Sequence, residues 1–260
     1  MSSCREPRLA PDTRGYAICT EPRSGSEYLC EILKSTRLLG NPLEQFMSAE
    51  RCRRFEREPA WLGQEILGRG ATANGIYGLK VMSRQFDNSL ASRWPERLPG
   101  LRFVHLERRD LLGQAISWVR ARQTGQYFSI TAAQGEARYD AAAIARAIGE
   151  IAEGQARWRR YFARNGIDAL WLVHEEVAAD PQAAAESIAR LLGLDEQPRV
   201  DPERIRLRAQ RDGLSEEWRE RFVAERADLR FLDHPLGWGR IKARRLARDA
   251  GLLLVRLRRR

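Results

Sequence analysis

The sequence predicts an α/β fold of three layers, α/β/α, built on a central parallel sheet of about four or five strands. Three observations carry that expectation. Short apolar runs of strand length recur along the chain, a glycine-containing turn joins the first of them to an amphipathic helix, and helical periodicity follows each later run. The 260 residues suffice for one large domain or two small ones. Their 43% hydrophobic and 31% charged content is an ordinary soluble globular composition.

Residues 16–20, Tyr-Ala-Ile-Cys-Thr, read as a buried strand. The turn Glu21-Pro22-Arg23-Ser24-Gly25-Ser26 follows, then a helix with Tyr28, Leu29, Ile32 and Leu33 on one face. A loop at 70–75 leads into a second strand at 76–82, and a third covers 102–107. Asp110 is placed to cap a helix reaching about Gln123, with Leu112, Ala115 and Val119 inward. Residues 125–140, with two glycines, read as a surface excursion able to cover a site. The helix after Asp140 sets Ile144, Ile148, Ile151, Gln155, Trp158 and Phe162 along one stripe. A fourth strand is expected at 169–174, and Asp180-Pro181 opens a helix that Gly193 ends. Ligands of such folds bind at the carboxyl ends of the strands.

The 45 basic residues outnumber the 35 acidic ones, for a net charge of +10. Residues 230–260 alone carry +8, so the chain divides into a nearly balanced body, 1–229, and a basic tail, 230–260. In the tail Ala243, Leu246, Ala250, Leu253 and Leu257 alternate in spacings of three and four among arginines, a basic amphipathic helix able to meet an anionic membrane. It has no interleaved aromatics for base stacking, so nucleic acid is not an expected partner. The longest apolar run near the end, residues 252–255, is far too short to span a bilayer. The start, with Arg5, Glu6 and Arg8, has no apolar secretory core. The expected location is therefore cytoplasmic, with peripheral contact at the inner face of the cell membrane through the tail. Cys4, Cys19, Cys30 and Cys52 form no Cys-x-x-Cys pair, and His105, His174 and His234 do not cluster near them. Neither a metal site nor a disulfide framework is expected, and Cys19 and Cys30 read as small buried hydrophobes.

Arg23-Ser24-Gly25-Ser26 lies where an anion would meet a helix N-terminus, with unpaired amides, a close-approach glycine, two hydroxyls and a forked cation. It lacks the first glycine and the lysine of a nucleoside-triphosphatase loop, which disfavours a motor or an ordinary kinase. Arg108, ending the third strand, and Ser117, nine residues on, could converge on a second phosphate. Local structure explains either piece as well: a serine-capped turn, or a solvated polar row at Asp110, Gln114 and Ser117.

Taken in order, these pieces and several others resemble the sulfotransferases that use 3′-phosphoadenosine 5′-phosphosulfate (PAPS), within them the bacterial trehalose 2-sulfotransferase-like group. Nod-factor and lipopolysaccharide sulfotransferases look related. The resemblance runs from about Tyr16 to Arg226. It includes residues 22–26, Pro42-Leu43-Glu44-Gln45-Phe46, Gly78-Leu79-Lys80, Arg108-Arg109-Asp110 with residues 114–117, Gln123-Thr124, and Gln210-x-Asp212 with Ser215, Glu217 and Trp218. It implies a P-loop-like α/β fold, PAPS as donor co-substrate, no metal, a carbohydrate or glycolipid acceptor and a homodimer. Residue by residue, it implies that Arg23, Ser24, Gly25 and Ser26 hold the 5′-phosphosulfate and that Arg108 and Ser117 hold the 3′-phosphate. Glu44 becomes the general base and Arg23 the cation on the leaving phosphate. Lys80 reads either as facing the sulfonate or acceptor, or as a stem snorkelling from the sheet. Gln210, Asp212 and Trp218 are expected in a segment folding back near the site.

Two departures stand out. Glu27 occupies a position where the family has threonine or serine, and an acid there should repel a bound phosphosulfate unless it points away. His174-Glu175-Glu176-Val177 replaces a Tyr-Glu-Asp-Leu type segment, with consequences expected for structure only. The rival readings are an ATP-using phosphotransferase of similar fold and a non-catalytic protein that binds an anionic membrane or polyanion.

Overall fold

Burial on both faces makes β1 (Arg14–Thr20) the centre of the molecule: every residue after Arg14 in this strand is buried. The computed structural model describes residues 13–127, 131–207 and 212–227. Five strands form one parallel sheet in the order β2-β3-β1-β4-β5. In chain order the first elements are β1, α1 (Ser26–Ser35), β2 (Leu43–Glu44), α2 (Ala49–Arg57), α3 (Pro59–Gly70) and β3 (Ile76–Met82). Next come α4 (Ser83–Ser89), α5 (Trp94–Arg97), β4 (Leu101–Glu107), α6 (Leu111–Thr124) and α7 (Ala141–Asn165). The last are β5 (Leu170–Val173), α8 (His174–Ala179), α9 (Pro181–Leu191) and α10 (Gly213–Arg226).

Side chains alternate across β1 and so divide the core into two layers. Tyr16 and Ile18 pack with Leu29, Ile32 and Leu33 of α1 and Ile188 of α9. Ala17 and Cys19 pack on the other face with Phe55 of α2, Phe86 of α4, and Trp158 and Phe162 of α7. Helices on both faces of a parallel sheet are the three-layer architecture that the sequence predicts, and Cys19 and Cys30 are buried as expected.

Asp110, Asp140 and Asp180 each accept a hydrogen bond from a backbone N–H three residues on, which fixes the starts of α6, α7 and α9. Three readings change. β2 was not expected, and β5 stops at Val173 so that His174 opens α8. The stripe of α7 shifts as well: Ala147 and Gly154 are buried where Ile148 and Gln155 were expected. The cause is close approach to the sheet. A Cβ on Gly154 would fall 2.2 Å from the carboxyl carbon of Glu21.

The chain divides into two compact units, Met1–Arg219 and Glu220–Arg260. The sheet and the site below belong to the first; of the second, the structure describes the end of α10 and Ala227. The amphipathic tail at 230–260 and Gln210 lie outside the described residues. Among the described residues no helix is long and apolar enough to cross a membrane.

Candidate active site

The turn after β1 is pinned from three sides. Thr20 donates to the Leu106 carbonyl at 2.8 Å, so its hydroxyl proton is used, and the 2.6 Å contact with Ser24 has Ser24 as donor. Gln114 of α6 donates to the Pro22 carbonyl at 2.7 Å. Gly25 stands before α1 at φ 84°, and no side chain caps the helix. The amides of its first turn have no partner within the helix and face the end of the turn.

Gly25 is fixed twice over, because a Cβ there would also lie 2.1 Å from Nδ1 of His174. Gly25→Ala is expected to cost roughly 1–2 kcal/mol for the left-handed backbone alone. That corresponds to a Tm lower by about 2–8 °C in a domain of this size. Gly25→Ala combined with His174→Ala recovers only the steric part. Thermal melts of the two variants check this, and equal Tm values for wild type and Gly25→Ala would refute it.

Arg23 also has a left-handed backbone, at φ 63°. Its Nε donates to Ser117 Oγ at 2.9 Å, and Nη1 donates to the Tyr127 carbonyl. Arg108 reaches the Arg23 carbonyl at 3.5 Å and pairs with Asp110 at 3.4 Å. Residues read from three separate stretches of sequence, Arg23, Arg108 and Ser117, thus meet at one turn. Burial, then the neighbouring charges of Arg108 and Arg120, hold the Arg23 guanidinium below its ordinary value, against the pull of Glu27. Nε of Arg108, Oε1 of Gln114 and Nδ1 of His174 are buried and have no hydrogen-bond partner among the described residues. Buried orphans of this kind cost about 1–3 kcal/mol each. An anionic ligand would relieve the Arg108 N–H, whereas the Gln114 oxygen needs a ligand donor.

His174, read as structural from the sequence, therefore lies against the turn. Burial, then the charge of Arg108, hold its imidazole below the ordinary value despite Glu175. Two ion pairs escaped sequence reasoning. Arg219 meets both oxygens of Asp110 at 2.6 Å, and Arg120 of α6 pairs with Asp212 at 2.6 Å. They bring the 212–219 segment against the helix that carries Ser117, where it was expected, and Trp218 is buried. Burial opposes ionisation of Asp110, but Arg219, the Gly113 N–H and Arg108 hold its carboxyl below the ordinary value. The Arg120 bond, with Ser215, brings Asp212 down to about 2.

On the other side of the turn, β2 pairs with β3 and sets Glu44 beside Lys80. Lys80 does not snorkel: it is 2% exposed, and its ammonium bonds Glu44 at 2.7 Å and also Glu27. Gln85 donates to the second oxygen of Glu44 while accepting from the Met82 N–H at 3.0 Å. Glu27, the unexpected acid of the turn, is thus ion-paired. Nearby, Glu21 is buried at the end of β1, accepts from the Ser83 N–H at 3.3 Å, and is pushed up to about 7 by burial, against the pull of Ser83 and Arg157. Among the described residues no group of three or more His, Cys, Asp or Glu is placed to hold a metal ion.

The family model described as Stf0 sulphotransferase matches residues 15–225. A trehalose 2-sulfotransferase of Mycobacterium tuberculosis is 27% identical over 257 aligned residues, covering 82% of this chain and 95% of the relative. One from Mycolicibacterium smegmatis is 26% identical over 254, covering 80% and 93%. Among solved structures, the sulfotransferase domain of the Synechococcus PCC 7002 olefin synthase aligns with a TM-score of 0.40 and 16% identity, over 84% of this chain and 89% of that one. A sulfotransferase from Alicyclobacillus acidocaldarius aligns with a TM-score of 0.43 and 15% identity, over 82% and 92%.

Proposed function

The chain belongs to the Stf0 sulfotransferase family, and from that premise we propose that it moves the sulfuryl group of PAPS to a hydroxyl of a carbohydrate acceptor. The observation that carries the donor half is the meeting of Arg23, Arg108 and Ser117 at the uncapped start of α1. PAPS supplies the sulfuryl group. Arg23, Ser24, Gly25 and Ser26 bind its phosphosulfate through amides, hydroxyls and a guanidinium, and stabilise the charge that grows on the leaving phosphate. Arg108 and Ser117 take the 3′-phosphate, a planar fork being suited to two phosphate oxygens. Glu44 takes the proton of the acceptor hydroxyl, held in place by Lys80 and Gln85.

The acceptor reading rests on the two relatives, whose names give trehalose as the sulfated sugar. The donor test is a calorimetric titration with 3′-phosphoadenosine 5′-phosphate (PAP) and, in parallel, ADP. PAP should bind at least roughly tenfold tighter, the worth of one charge-assisted phosphate contact. Equal affinities would remove the 3′-phosphate site. The acceptor test is sulfation of trehalose with PAPS, followed by mass spectrometry.

A further inference from the structure

An acid in the first turn of a helix suits the helix dipole but competes with any anion bound there. Glu27 is the second residue of α1, beside the phosphate turn, and its partner comes from a different layer of the fold. Lys80 is pinned in β3 between Ile18 of β1 and Glu44 of β2. Its ammonium is nearly inaccessible to water and meets one carboxylate from α1 and one from β2. Burial alone would push Lys80 down, but Cys30 where it ionises, with Glu44 and Glu27, raises it well above its ordinary value. The Cys30 thiol is itself pushed up to about 12 by burial, so near pH 7 it is neutral and the counter-charges are the two carboxylates.

We propose that Lys80 is a positioning residue that keeps the charge of Glu27 off the donor site, so that donor affinity follows the formal charge of the Glu27–Lys80–Glu44 group. Counting both carboxylates and the ammonium as charged, the group carries a single excess negative charge. Lys80→Met doubles it, Glu27→Gln removes it, and the double variant returns to the wild-type value. The inference rests on the reading of the turn as a PAPS site.

The experiment is calorimetric titration of PAP into these four proteins. A unit charge several ångströms away in a partly solvated site changes affinity roughly three- to tenfold. Lys80→Met should therefore weaken PAP by about that factor, Glu27→Gln should tighten it similarly, and the double variant should return to within about twofold of wild type. A merely structural role for Lys80 gives no such rescue. If Lys80→Met and the double variant are equally weak, Lys80 touches the donor directly and the proposal is wrong. It is equally wrong if Glu27→Gln binds PAP no tighter than wild type. That single variant decides the matter should Lys80→Met fail to fold. A wild-type chain that binds no PAP removes the donor reading itself, and the inference with it.

Discussion

Glu44→Gln should fold, bind PAP at least as well as wild type, and transfer sulfuryl groups roughly 10²- to 10⁴-fold more slowly. The amide keeps the shape of the side chain, and its oxygen still accepts from Gln85. Lys80 loses the 2.7 Å carboxylate contact but retains Glu27. In the proposed mechanism, what disappears is the base that takes a proton from the acceptor hydroxyl as its oxygen attacks sulfur. Initial rates with saturating PAPS, beside a PAP titration of the same preparation, separate chemistry from binding. Undiminished turnover would take Glu44 out of the reaction.

Glu21→Gln should stabilise the protein at alkaline pH and change little in acid. The folded chain holds the Glu21 proton up to about pH 7, whereas an unfolded chain releases it near the ordinary value of 4.5. The stability that Glu21 contributes is therefore complete below pH 4.5 and is lost as pH rises to about 7. The span corresponds to at most about 3 kcal/mol, on the order of 5–10 °C in Tm. His105 acts in the opposite sense. Burial, reinforced by Arg159 and opposed by Glu107, holds its imidazole down to about 4, so it costs stability as pH falls from 6.5. That contribution is common to both proteins and cancels in the difference. Melting curves of the pair should nearly coincide at pH 4 and be well separated at pH 8. A constant offset would mean that Glu21 is ionised in the fold throughout.

The sequence made four strands legible because each has enough apolar residues to show a pattern, and the starts of three helices because aspartate at an N-cap is a local device. β2 was not legible. Two residues, Leu43 and Glu44, have no periodicity, and their strand exists only through pairing with β3. In α7 the large side chains Ile148 and Gln155 drew the stripe, but depth is set by Ala147 and Gly154, where the helix comes closest to the sheet.

The candidate site shows the same division. Arg23, Arg108 and Ser117 were readable as an ordered set, and they do meet. Glu27 and the scarce Lys80 each stood out alone, one as a charge problem and one as a cation at a strand end. Their pairing spans 53 positions and depends on where β3 docks, which no local pattern encodes. His174 was missed for a related reason. Its segment differs from the family's, and only the fold brings it against Gly25.

The two halves of the site rest on unequal foundations. The turn at residues 21–26 grows from β1, a strand covered on both faces, whereas Glu44 rides on two residues at the sheet's margin. Around Glu44, buried Leu39 and Phe46 belong to the core and resist change, whereas Leu43 and Met47 are exposed. Changes under the turn disturb the centre of the sheet. Under the proposed function, acceptor choice can therefore drift while the donor end is inherited unaltered, and directed evolution of acceptor choice should begin at the exposed Leu43 and Met47.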